Sequence, residues 1–252
     1  MSSDRLGVLM NRGGSLRPSP RDARPPRAVI FDLDDTLVQS AVDFGKFRKL
    51  VIERIVDFGE DLDNYDTSEL IVAIIGRFEE NQRTSGVPES VIRSRLAELD
   101  VIMDQVEMER ADQTIAIKGA VELLTMLKMR GVRIGILTRG CRQYAEDVLE
   151  RTGLIEMVDE LECRNSETRP KPSPDAYLRL VRALGIEKDE TVFVGDHVID
   201  AQCAKNAGVP FISVMTGDVP EDILREAGSI AVFEDVGHLI RWFDEFIKIE
   251  PK

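Results

Sequence analysis

From Gly119 to the C-terminus the chain keeps changing its hydrophobic period. Residues 120–129 repeat at helical spacing up to Gly131, and 132–137 (VRIGIL) form an unbroken apolar run. Helical spacing returns over 144–151. Ser173-Pro174-Asp175 opens another helix, which Gly185 ends, and 191–194 (TVFV) reads as a buried strand. The rhythm continues with a helix over 200–206, a strand over 210–214, a short strand at 231–233 and a last helix through Ile247; 155–161 is predicted to be a short strand. Strands separated by helices run parallel, because each crossover returns the chain to the same end of the sheet. Their continuous apolar character predicts a sheet covered on both faces.

Ahead of this region, 28–33 (AVIFDL) supplies one more buried strand, ending at Asp32. The predicted fold class is therefore α/β, a doubly wound, Rossmann-like parallel sheet. The stretch 41–112 is different. Phe44, Phe47, Leu50, Val51, Ile55 and Phe58 recur at helical spacing, and so do two later groups beginning at Leu70 and Val91. Asp66-Thr67-Ser68-Glu69 and Val87-Pro88-Glu89 read as helix starts. An all-α domain is thus expected over 41–112, inserted into an α/β core of 28–40 and 113–252.

Residues 1–27 hold six arginines, four prolines, three glycines and two acids. That composition predicts a disordered basic tail. Gly13-Gly14 and the prolines break the long amphipathic helix that a transit peptide would need.

The formal net charge is -13, which repels nucleic acid and anionic membranes; neither is expected as a non-specific partner. No apolar run reaches membrane-spanning length. Cys141, Cys163 and Cys203 are odd in number and widely spaced, which predicts thiols in a reducing, cytoplasmic setting. The assembly state is left open, a homodimer included.

In a doubly wound sheet, ligands bind beyond the carboxyl ends of the strands. Polar residues stand at those ends here. Asp32-Leu33-Asp34-Asp35-Thr36 closes the first strand, Thr138-Arg139-Gly140 comes after VRIGIL, and Gly195-Asp196-His197-Val198-Ile199-Asp200 comes after TVFV; Arg169-Pro170-Lys171-Pro172 lies between the last two. Clustered carboxylates repel one another and call for a cation, and an all-oxygen set suits Mg²⁺. A carboxylate can also attack phosphorus, giving an aspartyl-phosphate. Lys171, the Thr138 hydroxyl and backbone N–H groups can hold phosphate oxygens.

On these four segments the chain resembles the haloacid dehalogenase superfamily, in its phosphoglycolate phosphatase-like branch with a helical cap. The resemblance spans roughly 28–235, with the motifs in order: Asp32 to Thr36, then Thr138, Lys171, and Gly195-Asp196 with Asp200. It implies a Mg²⁺-dependent phosphatase acting on a small phosphorylated metabolite, phosphoglycolate or a similar ester. Asp32 would be the nucleophile and Asp34 the general acid and base. Thr138 and Lys171 would bind the phosphoryl group, and Arg139, next in the chain, is a separate candidate for the substrate phosphate. Asp32, the Asp34 backbone carbonyl and Asp196 would ligate the metal, with Asp200 acting through water or behind them. The insertion at 41–112 would be the cap that reads the leaving group, with Phe44, Lys46, Arg48, Arg77 and Arg83 as candidates.

Three positions depart from the branch. Asp35 stands where Gly is frequent and reads as added surface charge, Arg139 where a small polar residue is common, and His197 where Ser is frequent; for His197 a helix-cap role is expected over metal ligation. Asp34, Asp196 and Asp200 argue against a metal-free 2-haloacid dehalogenase. Phosphonate hydrolysis would need a Schiff-base lysine in the cap, and neither Lys46 nor Lys49 has such a context. A sugar phosphomutase remains the alternative enzyme. A non-catalytic binding relative would have lost Asp32, Asp34, Lys171 or Asp196, and all four are present.

Overall fold

The computed structural model describes residues 25–246, together with two short strands ahead of them, β1 (Val8–Leu9) and β2 (Arg17–Pro18), paired antiparallel. The rest of the expected basic tail lies outside the described residues, as does Ile247, the expected end of the last helix. The chain divides into two compact units: Met1–Ser40 with Thr114–Lys252, and Ala41–Gln113.

The first unit is built on a six-stranded sheet. Its strands are β3 (Ala28–Phe31), β6 (Arg133–Leu137), β7 (Glu160–Glu162), β8 (Thr191–Gly195), β9 (Phe211–Val214) and β10 (Ala231–Phe233), in the order β10-β9-β8-β3-β6-β7. Every neighbouring pair is parallel. Helices α4 (Ala120–Met129), α5 (Arg142–Arg151), α6 (Pro174–Ala183), α7 (Val198–Ala207) and α8 (Glu221–Glu226) make the crossovers, and α9 (Val236–Phe246) follows the last strand.

All four residues of β3 are buried. Alternate side chains of a strand face opposite sides. Ala28 and Ile30 join one core with Tyr177 and Leu180 of α6, Ala204 of α7, and Phe193 and Phe211. Val29 and Phe31 are left to the other face. This is why AVIF reads as a continuous apolar run. Ser173 caps α6, its side chain accepting from the Asp175 N–H, and Pro174 takes the first turn, where no N–H is needed. Two further strands, β4 (Val38–Gln39) and β5 (Ile115–Ala116), pair antiparallel, Val38 opposite Ala116.

The second unit is helical: α1 (Phe44–Asp57), a 3₁₀ turn (Leu62–Asn64), α2 (Ile71–Thr84) and α3 (Glu89–Met108), with no strand among its residues. Phe47, Val51, Ile55, Ile74, Phe78, Ile92 and Leu99 are among its buried residues. Phe58 stacks on Phe78 with centroids 5.8 Å apart.

Three local expectations change. Asp66-Thr67-Ser68-Glu69 makes its capping contacts, with Asp66 Oδ1 accepting from Ser68 N at 2.8 Å and Glu69 Oε1 from Asp66 N at 3.1 Å. These close a local turn, and α2 starts only at Ile71. Residues 155–161 split into a 3₁₀ turn (Ile155–Met157) and the start of β7. Phe44 is 40% exposed, because the first turn of a helix points part of its apolar stripe past the helix end.

Candidate active site

The site begins where β3 stops. Asp32 N donates to Val194 O at 2.9 Å, which fixes Asp32 beside the end of β8. The chain then turns sharply: Thr36 N and Leu37 N both reach back to Leu33 O, and Asp35 N donates to Val38 O at 2.7 Å. The turn needs a left-handed residue, and Asp35 takes it with φ 55. Gly adopts that conformation freely, whereas Asp is among the few other residues that tolerate it. Asp35 is therefore not surface charge: its Oδ1 accepts from Ser40 N at 3.2 Å and its carbonyl accepts from Thr216 Oγ1. Burial, and then the charges of Asp34 and Asp32, push its carboxyl up to about 6 against the Ser40 hydrogen bond.

β6 delivers Thr138, which is buried; its N–H donates to Glu162 O at 3.0 Å and its Oγ1 accepts from Gly140 N at 2.9 Å. β8 delivers Asp196, whose Oδ1 accepts from Thr36 Oγ1 at 2.8 Å. His197 is the N-cap of α7, with its Nδ1 accepting from Ile199 N at 3.2 Å; Asp200 Oδ2 accepts from His197 N at 3.1 Å, completing a capping box. Gly195 is required here, since a Cβ on it would sit 2.6 Å from Asp200 Oδ2.

Lys171, on the segment between β7 and α6, is 2% exposed. Its Nζ lies 2.6 Å from Asp32 Oδ1 and 2.7 Å from Asp200 Oδ1. One carboxylate oxygen from each of Asp32, Asp196 and Asp200 lies within 4.8 Å of the others, and all three residues are buried. Asp34 stands beside them, its Oδ1 2.6 Å from Tyr144 Oη and its Oδ2 3.4 Å from Thr138 Oγ1.

The electrostatics derive from burial. Asp32 is pushed up to about 6, first by desolvation, then by Asp200, while Lys171 pulls it down. Asp196 is raised well above the carboxylate range by burial and by the charges of Asp32 and Asp200. Burial alone would lower Lys171, but Asp200 and Asp32 outweigh it and hold the ammonium charged. Burial lowers His197, with the charges of Lys171 and Arg139 acting the same way and Asp32 opposing them.

Asp32, Asp34, Thr138, Lys171, Asp196 and Asp200 thus converge at one edge of the sheet. β3 has β6 on one side and β8 on the other, so this is the point where the strand order reverses. Arg139 is held there by its backbone, its carbonyl accepting from Arg164 Nη1 at 2.9 Å. Tyr144 is the residue that sequence reasoning missed. The available signal was a polar aromatic in the first turn of the helix after a site strand. The basic candidates of the insertion are all engaged within it: Lys46 with Glu109, Arg48 with Thr67 O, Arg77 with Glu69 and Arg83 with Glu79.

A parallel sheet carrying buried carboxylates and one lysine at its switch point defines a hydrolase-type site of the doubly wound class. Residues 29–214 match the family described as haloacid dehalogenase-like hydrolase. The chain is 28% identical over 230 residues to a phosphoglycolate phosphatase of Rhodospirillum rubrum, covering 86% of this chain and 90% of that one. It is 26% identical over 233 residues to an N-acetylmuramic acid 6-phosphate phosphatase of Pseudomonas aeruginosa, covering 86% and 95%. The crystal structure of a hydrolase from Pseudomonas syringae shares the fold with a TM-score of 0.64 at 24% identity, over 88% of this chain and 99% of that one. The chain belongs to the haloacid dehalogenase-like hydrolases, on the phosphoglycolate phosphatase-like branch, and is an enzyme of the hydrolase class.

Proposed function

We propose that this protein hydrolyses a small phosphomonoester through an aspartyl-phosphate on Asp32, with Mg²⁺ bound. The observation that carries this reading is the meeting of Asp32, Asp196, Asp200 and Lys171 in one buried cluster, with Asp34 beside it.

The donor set fits a hard divalent cation. It is all oxygen, it is buried, and burial and mutual repulsion raise Asp32 and Asp196, as expected of carboxylates gathered for a cation. Asp32, Asp196 and the Asp34 carbonyl would hold the ion. Both Asp200 oxygens already accept hydrogen bonds, from Lys171 and from His197 N, which suits it to a supporting place behind them. When bound, the cation supplies positive charge against Asp32 and the phosphoryl oxygens.

In the first half-reaction an Asp32 oxygen bonds to phosphorus as the bond to the leaving oxygen breaks. Asp34 gives that oxygen its proton, and the alcohol departs. In the second, water attacks phosphorus and loses a proton to Asp34. The bond to Asp32 breaks, releasing phosphate and restoring both carboxyl groups. Lys171 and Thr138 neutralise and orient the phosphoryl oxygens. The helical unit Ala41–Gln113 is assigned the selection of the leaving group. The substrates named for the relatives, phosphoglycolate and a sugar 6-phosphate, make those two esters the first to try.

The test is phosphate release from a panel holding those esters and p-nitrophenyl phosphate, with Mg²⁺ and with excess EDTA. Mg²⁺-dependent release, with one small ester far ahead, is expected. In parallel, Mg²⁺ raises the melting temperature of the wild type but not of Asp196→Asn. No release from any ester by the folded, Mg²⁺-loaded protein would overturn the reading.

A further inference from the structure

Tyr144 sits in the first turn of α5 with its ring fully buried. Its Oη donates to Asp34 Oδ1 at 2.6 Å, a short contact of the charge-assisted kind. The other oxygen, Oδ2, has the longer 3.4 Å approach of Thr138 Oγ1. The phenol oxygen is itself held: Ser40 Oγ lies 3.1 Å away, and the Thr114 hydroxyl is a further hydrogen-bonding neighbour. Tyr144 has one proton, so when it serves Asp34 the Ser40 contact runs with the serine as donor. The packing is built to admit the ring. A Cβ on Gly140 would lie 2.9 Å from Tyr144 Cδ1 and 3.3 Å from Thr138 Oγ1.

Resting on the hydrolase reading, we propose that Tyr144 is a positioning residue for the acid–base step: its hydroxyl fixes Oδ1 of Asp34, so that the proton moves through Oδ2.

As the leaving P–O bond breaks, the proton on Oδ2 passes to the departing oxygen and negative charge grows on the Asp34 carboxylate. The Tyr144 O–H meets that charge at Oδ1. Its contribution therefore grows with the basicity of the leaving oxygen, and is smallest when the leaving group departs without protonation. Ser40 and Thr114, which aim the phenol, are the last residue before and the first after the helical unit. The acid–base carboxylate is thus tied through one hydroxyl to both roots of the insertion.

The experiment is kcat/KM for a series of 4-substituted phenyl phosphates with Mg²⁺, in wild type and Tyr144→Phe. This ratio reports steps only through formation of the phospho-enzyme and is blind to its hydrolysis. Expected is a loss of about tenfold for the most basic leaving group and less than about threefold for p-nitrophenyl phosphate. In an Asp34→Asn background the same substitution should change nothing further. An equal loss on every ester, no loss on any, or additive losses in the double variant would overturn the proposal. If Tyr144→Phe does not fold, Ser40→Ala with Thr114→Val keeps the phenol but removes what aims it. The same dependence on leaving group is expected at smaller size, and its absence overturns the proposal. A wild type inactive on every ester overturns the hydrolase reading itself; an active wild type whose variants show no added dependence overturns this inference alone.

Discussion

The helical unit and the end of β3 treat their charges in opposite ways. In the helical unit the ion pairs lie in the solvent: Lys46 and Glu109, for instance, keep 42% and 47% of their side chains exposed. At the end of β3, Lys171 and Asp200 keep 2% and 1%. An exposed pair gains little, because water and salt screen it and two long side chains must be ordered. A buried pair costs several kcal/mol in desolvation per ion, recovered only when every partner is in place. Apolar residues at Asp32, Lys171 and Asp200 would serve stability at least as well. The difference teaches that charge held out of water depends on every partner being in place, whereas charge left in water depends on few.

That contrast can be broken at graded points. The largest effect belongs to Asp32→Asn, which should lower turnover at least about 10³-fold with the melting curve retained. Activity above a few per cent of wild type would sink the nucleophile assignment. Next is Lys171→Met, which leaves buried carboxylates facing one another without a cation. In EDTA, urea unfolding should show a loss of about 3–5 kcal/mol, and a loss below about 1 kcal/mol would place the cluster in the same class as the surface pairs.

Asp159 stands between the extremes. Burial alone would raise it, but Lys128 Nζ, Arg133 Nη1 and the Ile134 N–H, each at 2.8 Å, outweigh burial and hold it below the usual range. A depressed carboxyl contributes stability that is present above its unfolded value near pH 4 and lost as pH falls through the folded value. Asp159→Asn should therefore lower stability at neutral pH and flatten its decline below about pH 4, as read from urea midpoints across pH. The smallest effect is expected from Lys46→Ala in the helical unit, within about 0.5 kcal/mol. A larger loss would mean that the insertion depends on its surface pairs after all.

Much of this was legible from residue order alone. Strands fully covered on both faces, such as 191–194, cannot hide their character, and polar residues directly after such strands have nowhere to go but the sheet edge. The gathering of Asp32, Thr138 and Asp196 came from that rule, whereas Lys171 stands on the longer segment between β7 and α6. The rest depends on atoms brought together across the chain. Tyr144 reads as an ordinary apolar-face residue of a helix, because nothing local reveals the carboxylate 110 positions away that its hydroxyl meets. Asp35 looked like idle charge because φ is invisible in composition. The Asp66 to Glu69 pattern misled because a side chain can bond its own backbone in a turn as well as at a helix start.

The little ribbon of β4 and β5 has an evolutionary consequence. It brings Val38 opposite Ala116, so the chain departs for the helical unit and comes home at neighbouring points. The sheet's strand order owes nothing to what lies between them. A lineage can lengthen, shorten or exchange the excursion at Ala41–Gln113 as a cassette. The ribbon fixes the two ends of that excursion to each other, whatever its length or sequence.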